Sequence, residues 1–534
     1  MNLVEKYDAN NSYYPLEVIA NKAVQGIRFE TIDNNIYKTK VDFGDGTLRN
    51  GSGVVGSASF VGTSTKNYLD SYTGKIKIYN NPKQVRKIVL DFGIDGSSAD
   101  PNFLNVKNSI LTPDILDYFN ETEYFYFSHY CYGSTHNALQ GKVTGEWAGK
   151  CGNKLKSLEL VNCDYPLSNP TFNLNIIPKN SILEVLKVGS GYSVANNYIS
   201  VSGDLANIPS TCKVVWLGGD RLGTSNSITG TIPNWVEEFQ RLGNNTISGS
   251  VLNLNSNMRY LNLQGNNTLK DSLDSFPFMN YFYLSGNNTI SGNLINLINS
   301  GTIFISGNNT VSGSIPNLTK CTNLRISGNN HISGPVPTLD TITQFSISGN
   351  NELSDVLDLP NATNVTVSGQ NILSDINLPK AIGVVIQGNN TISGDLYKKV
   401  NSEAINIQIS GFNTISSISG VFTNVIQINL TGNNILTDNI LSNFPNATNI
   451  QIGGNNTIVY AGKTFPPAMN SIDITGKAAL KTDMVNQLLK DLNQTTWTGN
   501  NKRIIIKGNS QPPSPDVIEI IQSLVSKGIS VSTN

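Results

Sequence analysis

A mostly β solenoid, coiled from repeats of about 21 residues between an N-terminal β-sandwich and a C-terminal α/β cap, is the fold this sequence predicts. Three observations lead there. The tripeptide Gly-Asn-Asn, or a close relative, recurs with its glycine at 243, 265, 286, 307, 328, 349, 369, 388, 411, 432 and 454. Most recurrences follow a short apolar-polar-apolar run such as Leu324, Arg325, Ile326, which is the two-residue period of a strand. Finally, only 14% of the 534 residues are charged, against roughly 25% in an average globular domain, so amides stand where charges usually do.

The unit at 324–337, LRISGNNHISGPVP, shows how a coil is built. Leu324 and Ile326 turn inward while Arg325 and Ser327 face out. Gly328 relaxes the backbone at the turn, and an Asn follows whose side chain can satisfy backbone groups coil after coil. Either Asn329 or Asn330 could fill that place. Ile332 re-enters the core, and the Gly334 to Pro337 stretch, echoed at 313–316 and 230–233, sets an extended return. Helical periodicity is absent from the returns, so extended or 3₁₀ segments are expected there. The inward column predicted by this register is Leu263, Leu284, Ile305, Ile326, Ile347, Val367, Ile386, Ile409, Leu430 and Ile452.

These residues resemble the leucine-rich repeat, L-x-x-L-x-L-x-x-N-x-L-x-G-x-I-P, with one extra residue between the glycine and the inward Ile. The Gly-x-Ile-Pro element is similar to the plant and bacterial variants of that repeat. The resemblance implies a scaffold for binding or building. A right-handed parallel β-helix is the alternative architecture.

Weaker versions of the strand pattern occur earlier, at 88–91, 125–128, 158–161, 186–189 and 215–218, separated by long insertions that should form loops. The aromatic segment 118–132 is expected to pack as a first coil in preference to forming a ligand patch. Before it, Val41 to Thr47 reads VDFGDGT, and IKIY follows at 76–79. The pair resembles the polycystic-kidney-disease type of β-sandwich. Asp45-Gly46 would make the hairpin turn, and Asp42 with Asp45 are turn formers before they are calcium ligands.

After the array, 482–492 carries apolar residues at helical spacing, 503–507 is a strand, 515–527 a second helix and 529–532 a last strand. Together they predict a cap. The closing segment from Gly508 resembles the C-terminal ends of leucine-rich-repeat proteins of tailed bacteriophages and gut Bacteroidetes. The organisation expected is therefore 1–85 sandwich or docking domain, 86–240 irregular repeats, 241–478 regular solenoid and 479–534 cap.

Several function classes drop out. A net charge of −1 without a basic stripe argues against nucleic-acid binding. No apolar stretch is long enough to insert in a membrane, and Glu5 and Asp8 occupy the place of a signal peptide's apolar region, so no export signal is expected. The five cysteines, Cys131, Cys151, Cys163, Cys212 and Cys321, lack metal-site spacing and read as small buried thiols. Asn-x-Thr sequons at Asn244, Asn266, Asn287, Asn308 and Asn389 share one place in the repeat, expected to be inward or tightly hydrogen-bonded, where a glycan would block stacking. Folding in a eukaryotic secretory pathway is disfavoured on that ground.

Catalysis needs convergent acids, bases or metal ligands, yet between Gln240 and Gly349 the only acidic residues are Asp271, Asp274 and Asp340. His129, His136 and His331 form no matched cluster. The expectation is therefore no enzyme, no cofactor and no metal. What remains is the outward row of the strands, in which Glu159, Lys187, Trp216, Asn262, Tyr283, Phe304 and Arg325 give way from Ser346 onward to small polar residues. Trp216, Tyr283, Phe304 and Arg325 are the candidate binding patch, since exposed aromatics beside an Arg are the usual anchors of recognition.

The resemblances imply a virion structural protein, a fibre or decoration subunit on the particle's outer surface. Its expected partners are other virion proteins, a host-surface protein or glycan, and further copies of itself. A bacterial surface adhesin is the alternative. A β-helical polysaccharide depolymerase is the third reading, and it lacks the paired carboxylates it would need.

Overall fold

The computed structural model describes residues 14–20, 26–31, 40–42, 48–50, 57–61, 74–80, 85–93, 109–111, 113–118, 120–130, 141–143, 146–161, 171–189, 200–218, 228–242, 245–275, 279–437, 439–474, 480–499 and 502–534. They fall in two compact units, 1–270 with 284–287 and 271–283 with 288–534.

The first unit begins with antiparallel pairing. Gly74–Asn80 lies between Tyr14–Ala20 and Lys40–Asp42, and the latter forms a hairpin with Leu48–Asn50. Gly26–Thr31 pairs antiparallel with Ser57–Val61 and with Val85–Gly93. The turn bearing Asp45, and the side chain of Asp42, lie outside the described residues. Val85–Gly93 then changes the architecture, because its other edge pairs parallel with Tyr124–Tyr130. From there the strands Ser157–Val161, Val185–Gly189, Val214–Leu217, Glu238–Arg241 and Tyr260–Leu263 add in parallel, one per coil. Of the aromatic segment, Phe125 is buried with its ring centroid 5.5 Å from that of Trp147, while residues 119, 131 and 132 lie outside the described residues.

The second unit continues the same code with better regularity. Thr302–Ile305, Asn323–Ile326, Gln344–Asp358, Asn364–Gly369, Gly383–Asn390, Asn406–Gly411, Gln427–Leu430 and Asn449–Ile452 pair in parallel. Ile305, Ile326, Ile347, Val367, Ile386, Ile409, Leu430 and Ile452 occupy one register position throughout, and all are buried. Leu263 and Leu284 are buried as well. Both units thus contain a parallel β-solenoid that is leucine-rich-repeat-like, with coils of about 21 residues in the regular part and longer, uneven coils in the first unit.

The returns are extended or 3₁₀, as the missing helical period implied. Thr289–Gly292, Thr310–Gly313 and His331–Pro335 form a second parallel ladder. In the first unit Leu174–Ile176, Leu205–Asn207 and Val251–Asn253 are 3₁₀ turns, and the side chains of Asn173, Asp204 and Ser250 each accept the amide two residues on.

The ladder position is the second Asn of each Gly-Asn-Asn. Asn267, Asn288, Asn309, Asn330, Asn351, Asn371, Asn390, Asn413 and Asn434 are fully buried. The side-chain oxygen of Asn351 accepts the amide of Ile332 at 3.2 Å, and its Nδ2 donates to the Ser368 carbonyl at 3.3 Å. The same two bonds recur at Asn371, Asn390, Asn413 and Asn434. A buried amide that satisfies two backbone groups at once fits where any other side chain would leave both orphaned.

This overturns the argument from the sequons. Asn266, Asn287, Asn308 and Asn389 are the first Asn of each pair and are exposed, so a glycan there would leave the stacking intact; Asn244 lies outside the described residues. The repeat geometry therefore gives no reason to exclude a secretory pathway.

Beyond the regular coils, Thr482–Asn493 is a helix that buries Val485, Leu488, Leu489 and Leu492. Arg503–Ile506 and Ser530–Thr533 extend the parallel ladder, and Ile518–Ser526 is the second helix. That helix leaves Ile518 and Val525 about half exposed. Cys151, Cys212 and Cys321 are buried free thiols, and burial pushes Cys212 up to about 12 and Cys321 to about 11. Cys131 and Cys163 lie outside the described residues.

One core residue was not foreseen. Arg241 occupies the inward position in register with Leu217 and Leu263 and is fully buried. Its guanidinium donates to the Gly218 carbonyl, and burial lowers its pKa to about 10.

Candidate binding surface

In a parallel ladder without register shift, every side chain at one outward position lies about 4.8 Å from its equivalent on the next strand. Planar rings placed there have little choice but to lie face to face. The Tyr283 and Phe304 rings do so, with centroids 4.0 Å apart and an interplanar angle of 3°. Each ring covers one face of the other and is half-buried, so the sequence-based picture of two bare rings overstates their exposed apolar area. Stacking contributes about 0.5–1.5 kcal/mol beyond area burial, which gives the pair a structural reason to exist.

Arg325 stands opposite Phe304 on the next strand and is exposed. Its Nη2 donates to Gln344 Oε1 at 3.2 Å. Burial raises the Tyr283 phenol above its ordinary value, while the Arg325 charge pulls the other way. Ser346 and Thr366 follow Arg325 at the same register position.

Trp216 belongs to the first unit and to a different cluster. Lys187 Nζ lies 4.7 Å from its ring centroid and pairs with Glu159 at 3.1 Å. Tyr260 stacks on Trp216 at 5.8 Å and donates its hydroxyl to Gln240 Oε1 at 3.0 Å. Gln240 and Asn262, which follow Trp216 in the outward row, are 5% and 8% exposed, so the row is nearly closed there. Three of the four candidate residues therefore form one group, and Trp216 anchors another with Lys187 and Tyr260. Tyr260 and Gln240 were missed because the row was read along one outward column with Glu238–Arg241 skipped; Tyr260, two residues before Asn262, shares its face and could have been found.

Among the described residues no group of three or more His, Cys, Asp or Glu side chains could hold a metal ion. His331 is exposed on a return, away from the sheet face. No described helix is long and apolar enough to cross a membrane.

The strand pairing defines an architecture, a parallel β-solenoid that is leucine-rich-repeat-like. No protein-family profile and no curated protein sequence matches the chain. Among solved structures it is similar to a plant peptide hormone receptor, RGFR1 in complex with RGF2, at 17% identity and a TM-score of 0.46, covering 85% of this chain and 80% of that one. A plant ice-binding protein matches at 15% identity and a TM-score of 0.24, over 61% and 79%. The fold assignment rests on the strand pairing above, and neither match bears on what the protein binds.

Proposed function

We propose that the protein is a non-enzymatic recognition solenoid whose sheet face around Tyr283, Phe304 and Arg325 attaches to a macromolecule of a host envelope. One observation carries this reading: at the positions in register with Thr302 and Phe304, followed to Asn449 and Gln451, the side chains are amides and hydroxyls except for Gly383, Val385 and the Phe304 and Arg325 pair that extends the Tyr283 stack. Nothing in a parallel ladder requires large side chains at three consecutive coils and small ones at the rest. A virion role, as fibre or decoration subunit of a tailed bacteriophage, is the narrower form of the proposal and draws its support from the C-terminal resemblance.

Two measurements test it. Changing Tyr283 and Phe304 together to Ser should weaken adsorption of the purified chain to its host cells while leaving thermal unfolding cooperative. Antibody to this chain should decorate intact particles in electron micrographs; label confined to bacterial cell surfaces would assign the same face to an adhesin.

A further inference from the structure

At the outward positions in register with Thr302 and Phe304, followed coil by coil to Asn449 and Gln451, the single charged side chain is Arg325. In the first unit several cations at the sheet are neutralised across strands. Lys187 pairs with Glu159 at 3.1 Å, Arg259 with Glu238 at 2.9 Å, and Arg86 and Lys156 share Glu123 at 3.1 and 2.8 Å. Such pairs fix register between neighbouring strands. Arg325 forms no ion pair with any described residue; its side-chain partner is the uncharged amide of Gln344. Register in this unit is already set by the Asn ladder, so the charge at Arg325 has no structural task.

A guanidinium is planar, permanently charged and carries a fork of donors that matches a carboxylate or sulfate in two-point contact. Next to it in register come the hydroxyls of Ser346 and Thr366, then, after Val385, the amides of Gln408 and Asn429. A ligand crossing the strands meets one such short polar group about every 4.8 Å. On the other side, the stacked rings of Tyr283 and Phe304 turn their edges outward, where they offer a limited apolar contact and one phenol.

We propose that the ligand of this face is an acidic polysaccharide, with a carboxylate or sulfate seated on Arg325 and its hydroxyls on the neighbouring serine, threonine and amide groups. The proposal rests on the reading of this face as a binding surface and names its ligand class. An extended peptide is the poorer fit. It gains its affinity from a free strand edge or from pockets for alternate side chains, and here the edges are consumed by neighbouring coils while the side chains are short. A hydroxyl-rich chain needs the dense, uncharged donors and acceptors this face supplies, plus one cation.

The test is affinity electrophoresis and calorimetry of the full chain with polygalacturonate, dextran sulfate and neutral dextran. Binding to polygalacturonate or dextran sulfate, with dextran at least about tenfold weaker, is the expected result, and the two acidic polymers tell carboxylate from sulfate. Arg325→Gln should lower affinity about tenfold or more, since a hydrogen bond to a charged group is lost. Arg325→Lys should fall between, because the charge remains without the fork. Lys320→Gln, which removes an exposed cation from a turn off the sheet face, should change nothing. Equal losses in Arg325→Gln and Lys320→Gln would reduce the effect to net charge and overturn the proposal. So would equal binding to dextran, or binding to none of the three polymers. If host adsorption still depends on Tyr283 and Phe304 while no polysaccharide binds, the ligand class falls and the attachment surface stands; if adsorption ignores both rings, the attachment reading itself fails.

Discussion

Asn330 accepts the amide hydrogen of Val311 on its Oδ1 at 3.2 Å, from the coil before it. Its Nδ2 donates to the Ser348 carbonyl of the coil after it, also at 3.2 Å. One side chain thereby closes the hydrogen-bond account of three coils. Asn330→Ala should destabilise the protein by about 2 kcal/mol, because both backbone groups stay buried without partners. Asn329→Ala, at the exposed neighbour, should stay within about 0.5 kcal/mol. Denaturant midpoints of the two variants decide the matter, and equal values would remove the ladder from the list of stabilising features.

Gly328 has φ of 134°, and a Cβ built there would sit 2.5 Å from the Gly307 carbonyl oxygen. Gly334, with φ of 82°, has open space at the same point. Gly328→Ala therefore carries both a backbone penalty and a clash with the preceding coil, whereas Gly334→Ala carries the first alone. The former should cost on the order of 2 kcal/mol and clearly more than the latter. Matching melting temperatures would show that the close approach of coils tolerates a methyl group.

The Tyr283 and Phe304 stack should appear as a coupling of about 0.5–1.5 kcal/mol in a double-mutant cycle on folding stability. A coupling near zero, combined with lost adsorption, would make the pair wholly a ligand contact. The reverse result would make it wholly a packing device and count against the proposed surface.

Lys463 supplies a pH dependence. Its ammonium donates to the carbonyls of Leu441 and Phe444 at 2.9 and 2.6 Å, and burial lowers its pKa from 10.5 to about 8. Because the folded value lies below the unfolded one, the unfolded chain holds this proton more tightly between those limits. Stability attributable to Lys463 is therefore lowest below pH 8 and rises as pH climbs through that window. The Tyr460 phenol, raised by burial and by its bond to Asp491 at 2.6 Å, acts in the opposite sense only above its ordinary value of 10. Urea titrations between pH 8 and 9.5 should show the rise in the parent chain, and Lys463→Met should lack it. Parallel curves for the two proteins would refute the assignment.

The purified chain should release no reducing ends from polygalacturonate or other bacterial polysaccharides. Glycoside hydrolysis takes two carboxyl groups flanking the bond, and the outward positions in register with Thr302 and Phe304, followed to Asn449 and Gln451, carry no acidic side chain. Turnover abolished by changing one Asp or Glu would require a site outside this face.

The sequence by itself determined the solenoid, its period and its inward column, because each coil repeats one local code: alternation along the strand, a glycine at the turn, an amide after it. Ile326 and Ile347 could be placed inside from their own neighbours alone. It did not determine which Asn of each pair fills the ladder, since Asn329 and Asn330 are chemically identical and only the coils above and below select the one that reaches both. That choice also reversed the expectation for the sequon residues. The burial of Arg241 in a column of leucines is not legible in the sequence because the apolar pattern is broken there by a charge, and a partner such as the Gly218 carbonyl is supplied by an adjacent coil. Tertiary structure likewise decided that Tyr283 and Phe304 meet face to face and that Trp216 keeps separate company with Lys187 and Tyr260. Strand alternation says which side chains face outward; the distance between successive coils, which no single repeat encodes, says what they touch.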